Sequence, residues 1–305
     1  IIMSKSPREL MQYYKNGGNV SDLIRREKGI NYNTKEIIEI SYDLQTGSYI
    51  DMMSNPDMIA HKNKYTQEIA KTILSLCKPE SILEAGIGEG TTFSGVLEKL
   101  NTEPNSYGFD LSWSRLAYAR KWLKQHCNFD TNICSGDLYN IPFMDNSIDI
   151  VYTSHSIEPN GGNEEPIIKE LFRITRKFLI LLEPAYELAN REARMRMESH
   201  GYCKNLHKTC KSLGYKVIEH GLFPFCSNPL NPTGVTIIQK EVKGRSGNDV
   251  FACPSTKTPL IKTDEAFFSK EALVAYPVLA GIPCLRIENG IIASKYEEIL
   301  NSSER

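Results

Sequence analysis

The chain has 305 residues, with 36 lysines and arginines against 37 aspartates and glutamates. That balance gives no global field for gathering nucleic acid or an anionic membrane surface. At 41% hydrophobic and 24% charged residues, it can bury a large core, and no apolar run approaches the roughly 20 residues that a bilayer crossing requires.

The opening IIMSKSPREL lacks the apolar centre of a signal peptide. The two isoleucines before Met3 read as an odd boundary, and the expected location is cytoplasmic. Eight cysteines, at 77, 127, 134, 203, 210, 226, 253 and 284, form no C-x-x-C pair. Neither a disulfide framework nor a zinc knuckle is expected, only reduced structural thiols.

Residues 1–75 read as helical, broken at NGGNV and NPDM. From Ser81 short apolar runs alternate with helical stretches: SILEA, TFSGVLEKL, SYGFDL, SRLAYARKWLKQH, TNICSGD, SIDIVYTS, EPIIKELFRIT and KFLILLEP. Such alternation predicts a parallel sheet covered on both faces. GYKVIEHGLF and GVTIIQKEV follow without a clear helix between them, so the sheet is expected to finish mixed. KGRSGND, Lys243 to Asp249, reads as a polar linker. Beyond it lies a short, turn-punctuated, strand-like segment, expected to be a small appendage leaning on the main domain. The expected divisions are 1–75, 76–242 and 250–300.

LEAGIGEGTT places Gly86, Gly88 and Gly90 directly after the first strand. Glycine there lets backbone approach a ligand, and the next helix offers unpaired N–H groups. The pattern is G-x-G-x-G, not the G-x-G-x-x-G of dinucleotide sites. Glu84 ends that strand; its carboxylate repels a pyrophosphate but suits a ligand carrying an ammonium and a sulfonium. Asp110 ends the second strand, where a carboxylate can accept both hydroxyls of a ribose. Asp137 ends the third and can accept an adenine amino proton, with Leu138 supplying an N–H and an apolar wall. Each acid alone serves equally well as a loop or helix cap; three at successive strand ends favour a ligand.

Together, ILEAGIGEGTT, GFDLS and GDLYNIPFMDNSIDIVYTSHSIE resemble class I S-adenosylmethionine-dependent methyltransferases, near the small-molecule type 11 group, over roughly residues 80–185. The resemblance implies an α/β, Rossmann-like, seven-stranded sheet with its last strand antiparallel. It also implies S-adenosylmethionine as methyl donor and S-adenosylhomocysteine as product. By position, Glu84 and the Gly86–Gly90 loop would hold the methionine moiety, Asp110 with Leu111 the ribose, and Asp137 with Leu138 the adenine. SHSIEPNGG would then form one wall of an acceptor pocket, because the fourth strand ends beside the sulfonium in that fold. Within it, His155 is the candidate general base; Glu158 would orient it or act as base itself. The bland alternative has His155 bonding the cofactor carboxylate or the loop backbone.

Glu183, Tyr186 and His200 follow the fifth strand and are further candidates for the cleft. Arg191, Arg194 and Arg196 suit either an anionic substrate or a solvated helix face. In SYDLQTGSYIDMM, Tyr42, Gln45 and Tyr49 belong to an N-terminal segment that related enzymes fold over the cofactor as a lid, Tyr49 being the candidate contact.

CPSTKTPL…AYPVLAGIPCL resembles the small Trm112-like (YcaR-like) module over residues 251–286. Members of that group can hold zinc with paired cysteines. Here the motif reads Cys253-Pro-Ser-Thr, the second ligand is missing, and no metal is expected. The segment then reads as a scaffold or an oligomer interface, and a homodimer is an open option.

The expected activity is methyl transfer to a small polar acceptor, at a hydroxyl of a sugar, a nucleotide-linked sugar or a surface-polysaccharide precursor. Two rivals stand beside it: methylation of tRNA, rRNA or a translation factor, and a non-catalytic S-adenosylmethionine-binding interaction protein. Against a nucleic-acid partner, base-amino methyltransferases carry N-P-P-Y after the fourth strand. This chain has SHSIEPNGG there, while SNPLNP, Ser227 to Pro232, lies too late in the sequence.

Overall fold

The computed structural model describes residues 5–127, 130–226, 228–242 and 250–303. The two leading isoleucines and the Lys243–Asp249 linker lie outside the described residues. The N-terminal part forms α1 (Pro7–Lys15), α2 (Val20–Lys28), α3 (Lys35–Leu44), α4 (Ser48–Met52) and α5 (Pro56–Leu76). Short polar side chains start most of them. Ser6 and Glu9 make a capping box on α1, Asn19 caps α2, Thr34 caps α3, and Asn55 caps α5 with Pro56 in its first turn. Each satisfies backbone N–H groups that a helix start leaves open. Leu10, Val20, Ile24 and Ile37 bury against one another as a small core.

The central part runs β1 (Ser81–Ala85), α6 (Thr91–Lys99), β2 (Asn105–Asp110), α7 (Trp113–His126), β3 (Thr131–Ser135), β4 (Ile148–Ser154), α8 (Glu164–Ile174), β5 (Thr175–Pro184), α9 (Arg191–His200), α10 (Leu206–Ser212), β6 (Lys216–Leu222) and β7 (Thr233–Gln239). Among the described residues these strands make one seven-stranded sheet in the order β3-β2-β1-β4-β5-β7-β6. Strands β1 to β5 pair in parallel, and β7 runs antiparallel to both neighbours. Apolar clusters bury both faces, which is why burial along β1 and β4 is continuous rather than alternating. The chain turns from β1 to β2 on one side and to β4 on the other. In open α/β sheets, that reversal leaves a crevice at the carboxyl ends of the strands.

The C-terminal part contains β8 (Ile261–Lys262), β9 (Ala266–Ser269), β10 (Val274–Leu279), β11 (Ile282–Pro283), β12 (Ile291–Ile292) and α11 (Tyr296–Ser303). Strands β11-β10-β9-β8 form a small antiparallel sheet, and β12 pairs with β10. This sheet does more than lean on the larger one. Val250, Cys253, Phe267, Tyr276 and Leu285 belong to the same buried cluster as β1, β4 and α8. Cys284 bridges to Ser135 in parallel, and the Leu285 N–H donates to the Ser135 carbonyl at 3.1 Å. The backbone after β11 thus extends the larger sheet beyond β3.

Among the described residues no helix is long and apolar enough to cross a membrane, and no group of three or more His, Cys, Asp or Glu is placed to hold a metal ion. All eight cysteines are free thiols.

Candidate active site

A cavity of about 350 Å³ opens at the carboxyl ends of β1 to β4, and side chains from α3, α4 and α5 line its outer wall. Its volume lies toward the lower end of the about 300–1,000 Å³ typical of small-molecule sites.

Glu84, at the end of β1, lines it. Its Oε2 accepts the Tyr152 hydroxyl at 2.7 Å. Burial pushes the carboxyl up to about 8, although the Tyr152 bond and nearby Lys62 pull the other way. Gly86 follows with φ +74°, and a Cβ there would lie 2.3 Å from the Ser156 Cβ. Only glycine lets the loop after β1 pass this close to the loop after β4. Asp110, at the end of β2, accepts the Gly88 N–H on Oδ2 at 2.8 Å and the Ser112 N–H on Oδ1 at 2.9 Å. Each oxygen keeps a lone pair for a further donor. Leu111, Leu138 and Gly88 also line the cavity. Gly90 lies outside the lining; it starts α6 at φ +75°, and a Cβ there would press on Leu123 at 3.2 Å. Its part is helix packing.

Asp137 lines the cavity with a partner already in place: Lys35 of α3 donates to its Oδ2 at 2.9 Å. The Tyr139 N–H bonds Oδ1 at 2.9 Å.

At the end of β4, His155 sits at φ +57°, a left-handed conformation that a non-glycine residue adopts only when its surroundings impose it. Its Nδ1 lies 2.5 Å from Glu158 Oε2, and its Nε2 lies 2.8 Å from Thr233 Oγ1. Burial alone would lower the His155 pKa, but the hydrogen bond and charge of Glu158 outweigh it and raise it above the ordinary value. Burial would raise Glu158, while bonds from His155 and Asn231 hold it below the usual carboxylate range. The Asn231 amide donates to Glu158 Oε2 at 3.0 Å. Asn228, Asn231 and Thr233 all line the cavity. The SNPLNP stretch, too late in the chain to follow the fourth strand, therefore still reaches the site, apart from Ser227, which lies outside the described residues. It arrives because β7 lies beside β5.

Glu183 lies behind the wall. Its carboxylate accepts the backbone N–H groups of Ser156, Ile157 and Glu158 at 3.0–3.1 Å, and burial raises its pKa to about 7. It holds the loop in shape without lining the cavity. His200 also lies outside the lining. Its ring stacks with Tyr202 at 5.3 Å, and its carbonyl accepts from Asn33. Tyr186 bonds Glu198 on the surface, Arg191 and Arg194 are exposed, and Arg196 lies over the Tyr202 ring. None of these lines the cavity, because α9 turns away from it.

Tyr42 and Tyr49 line the outer wall, each with the buried Arg115 guanidinium near its ring, at 5.3 and 4.9 Å. Gln45 ends α3 and stays outside the lining. Among the lining residues that sequence reasoning missed are the charged side chains Lys35, Glu39, Lys62, Glu89 and Arg115. Lys62 donates to Thr92 Oγ1 at 3.0 Å, and burial lowers its pKa. Glu89 accepts the Gly47 and Ile50 N–H groups at 3.1 and 2.9 Å. The one available signal for Glu89 was a charged residue inside a glycine turn.

Residues 82–177 match the profile of a methyltransferase domain family. No curated protein sequence matches the chain significantly. Among solved structures, magnesium protoporphyrin IX methyltransferase (ChlM) from Synechocystis PCC 6803 with bound SAH is similar at TM-score 0.51 and 13% identity, covering 68% of this chain and 100% of that one. The same enzyme with bound SAM gives TM-score 0.51 and 14% identity over 68% and 98%. A SAM-dependent methyltransferase from Aquifex aeolicus gives 0.44 and 14% over 56% and 88%. Over residues 82–177 the chain is thus similar in sequence to a methyltransferase domain family, and its larger sheet shares the fold of the SAH- and SAM-bound Synechocystis structures.

Proposed function

We propose that the chain is an S-adenosylmethionine-dependent methyltransferase acting on a hydroxyl of a small polar molecule, with a sugar or nucleotide-linked sugar as the preferred acceptor class. The observation that carries this reading is one cavity that joins acidic strand ends to a partly buried His155–Glu158 pair. The donor, when bound, supplies a carbon already activated for displacement by its sulfonium. Glu84 receives the donor's ammonium and Lys62 with Thr92 its carboxylate. Asp110 receives the ribose hydroxyls, and Asp137 with Leu138 the adenine. The tyrosines of α3 and α4 exclude water from above.

At the other end, His155 takes the proton of the attacking hydroxyl on Nε2, where Thr233 now bonds it. Glu158 holds Nδ1 and stabilises the imidazolium that forms. Alignment of acceptor and methyl can supply on the order of 7–11 kcal/mol, and the base a further factor of about 10²–10⁴.

Titration calorimetry with S-adenosylhomocysteine, followed by methyl-transfer assays on hydroxylated small molecules and on tRNA, tests the reading. Binding is expected in the parent chain. Loss of two charge-assisted bonds should weaken it on the order of a hundredfold or more in Asp110→Ala. Absence of binding in the parent chain overturns the proposal, and methylation of tRNA alone overturns the acceptor class.

A further inference from the structure

The bridge of Cys284 to Ser135 carries the backbone after β11 along the edge of the larger sheet, so Arg286 comes level with Asp137. The Arg286 side chain is 9% exposed. Its two terminal nitrogens grip the Glu39 carboxylate of α3 at 2.5 and 2.8 Å. The same nitrogens donate to the Leu111 carbonyl at 3.2 Å and to Glu288 Oε1 at 2.6 Å. Glu288 Oε1 also takes Lys35 Nζ at 2.8 Å, and Lys35 is the residue on Asp137. Lys35, Glu39, Leu111 and Asp137 all line the cavity, whereas Arg286 and Glu288 do not.

We propose that Arg286 and Glu288 are positioning residues of this cavity, joining helix α3 to the turn after β2 and closing the wall over the Asp110–Asp137 side. The inference rests on the proposed function for what the cavity holds. A planar guanidinium suits this position because it meets one carboxylate with two parallel bonds and still has donors for a carbonyl and a second carboxylate. Removing it takes the cation from Glu39 and leaves Glu288 with Lys35 alone, so the tie between α3 and the backbone after β11 is reduced to one lysine. Asp137 Oδ2 accepts Lys35 and Oδ1 accepts the Tyr139 N–H, so each oxygen keeps a lone pair for a donor group of the ligand.

The test uses the full chain. Hydrogen exchange through residues 35–44 is measured on the free parent, Arg286→Ala, Glu39→Gln and the double variant, and S-adenosylhomocysteine affinity is measured on the same set. Exchange is expected to rise about tenfold in each single variant, and Glu39→Gln is expected to add nothing once Arg286 is gone. Affinity is expected to fall about tenfold in step, and Arg286→Lys is expected not to restore it. If Arg286→Ala does not fold, Glu39→Gln and Glu288→Gln carry the same measurements, because both side chains are partly exposed. Unchanged exchange, strictly additive effects, or faster exchange with unchanged affinity overturns the proposal. A parent chain that binds no S-adenosylhomocysteine overturns the functional reading instead, and the exchange data then decide the latch by themselves.

Discussion

Glu84 and His155 are both held away from their ordinary pKa values, in ways that set opposite tests. Burial keeps the Glu84 carboxyl up at about 8, so it is largely protonated in the free chain at neutral pH. A bound ammonium favours the ionised form, so binding releases a proton. S-adenosylhomocysteine affinity should climb with pH by up to about tenfold per unit below that pKa, then flatten above it. Calorimetry in buffers of different ionisation heat reads the proton directly, and a flat pH dependence removes Glu84 from this role. Because the folded chain holds this proton more tightly than the unfolded chain, the Glu84 contribution to stability shrinks as pH rises toward 8. Glu84→Gln should therefore raise the melting temperature at pH 8 while weakening binding. His155 is shifted up by Glu158, so its free-base form, and turnover with it, should increase as pH rises through the elevated value. Glu158→Gln should move that rise to lower pH. His155→Asn should lower turnover about 10²–10⁴-fold with cofactor affinity nearly intact; a variant as fast as the parent removes His155 as base.

Among the elements, α4 shows how the cavity wall is held. This five-residue helix starts at Gly47, which offers no side-chain cap, and its open N–H groups are taken by the buried Glu89 of the glycine turn. A carboxylate at a helix start satisfies donors and meets the positive end of the dipole. Glu89→Gln should cost about 1–2 kcal/mol, speed hydrogen exchange at residues 47–53 and weaken cofactor binding. Unchanged exchange there would show that α4 is held by Tyr49 and its neighbours instead. The glycines and the acid were visible in the sequence. Their link to α4 was not, because Glu89 and Gly47 are 42 residues apart and no local period connects them.

At the scale of the whole molecule, the smaller sheet is built into the larger one through a common apolar cluster. Leu285 is fully buried there, so Leu285→Ala should cost about 2–5 kcal/mol. Urea unfolding should remain one cooperative transition shifted to lower denaturant; two transitions in the parent chain would show that the sheets unfold apart. The alternation of apolar runs and helical stretches, the antiparallel finish and the acids at successive strand ends were legible from residues alone. Strand and helix periods are local, and a strand end is marked by the point where its apolar run stops. Side chains that meet across the strand order left no such mark. Thr233 reaches His155 and Asn231 reaches Glu158 because β7 inserts beside β5, and Lys35 reaches Asp137 because α3 folds across the end of β3. His200 misses the cavity because α9 turns outward, and Arg286 reaches Glu39 only because β11 leads the chain along β3. Those pairings depend on where whole elements pack, and the physical reason is that burial and hydrogen bonding between distant segments are settled only once the sheet has closed.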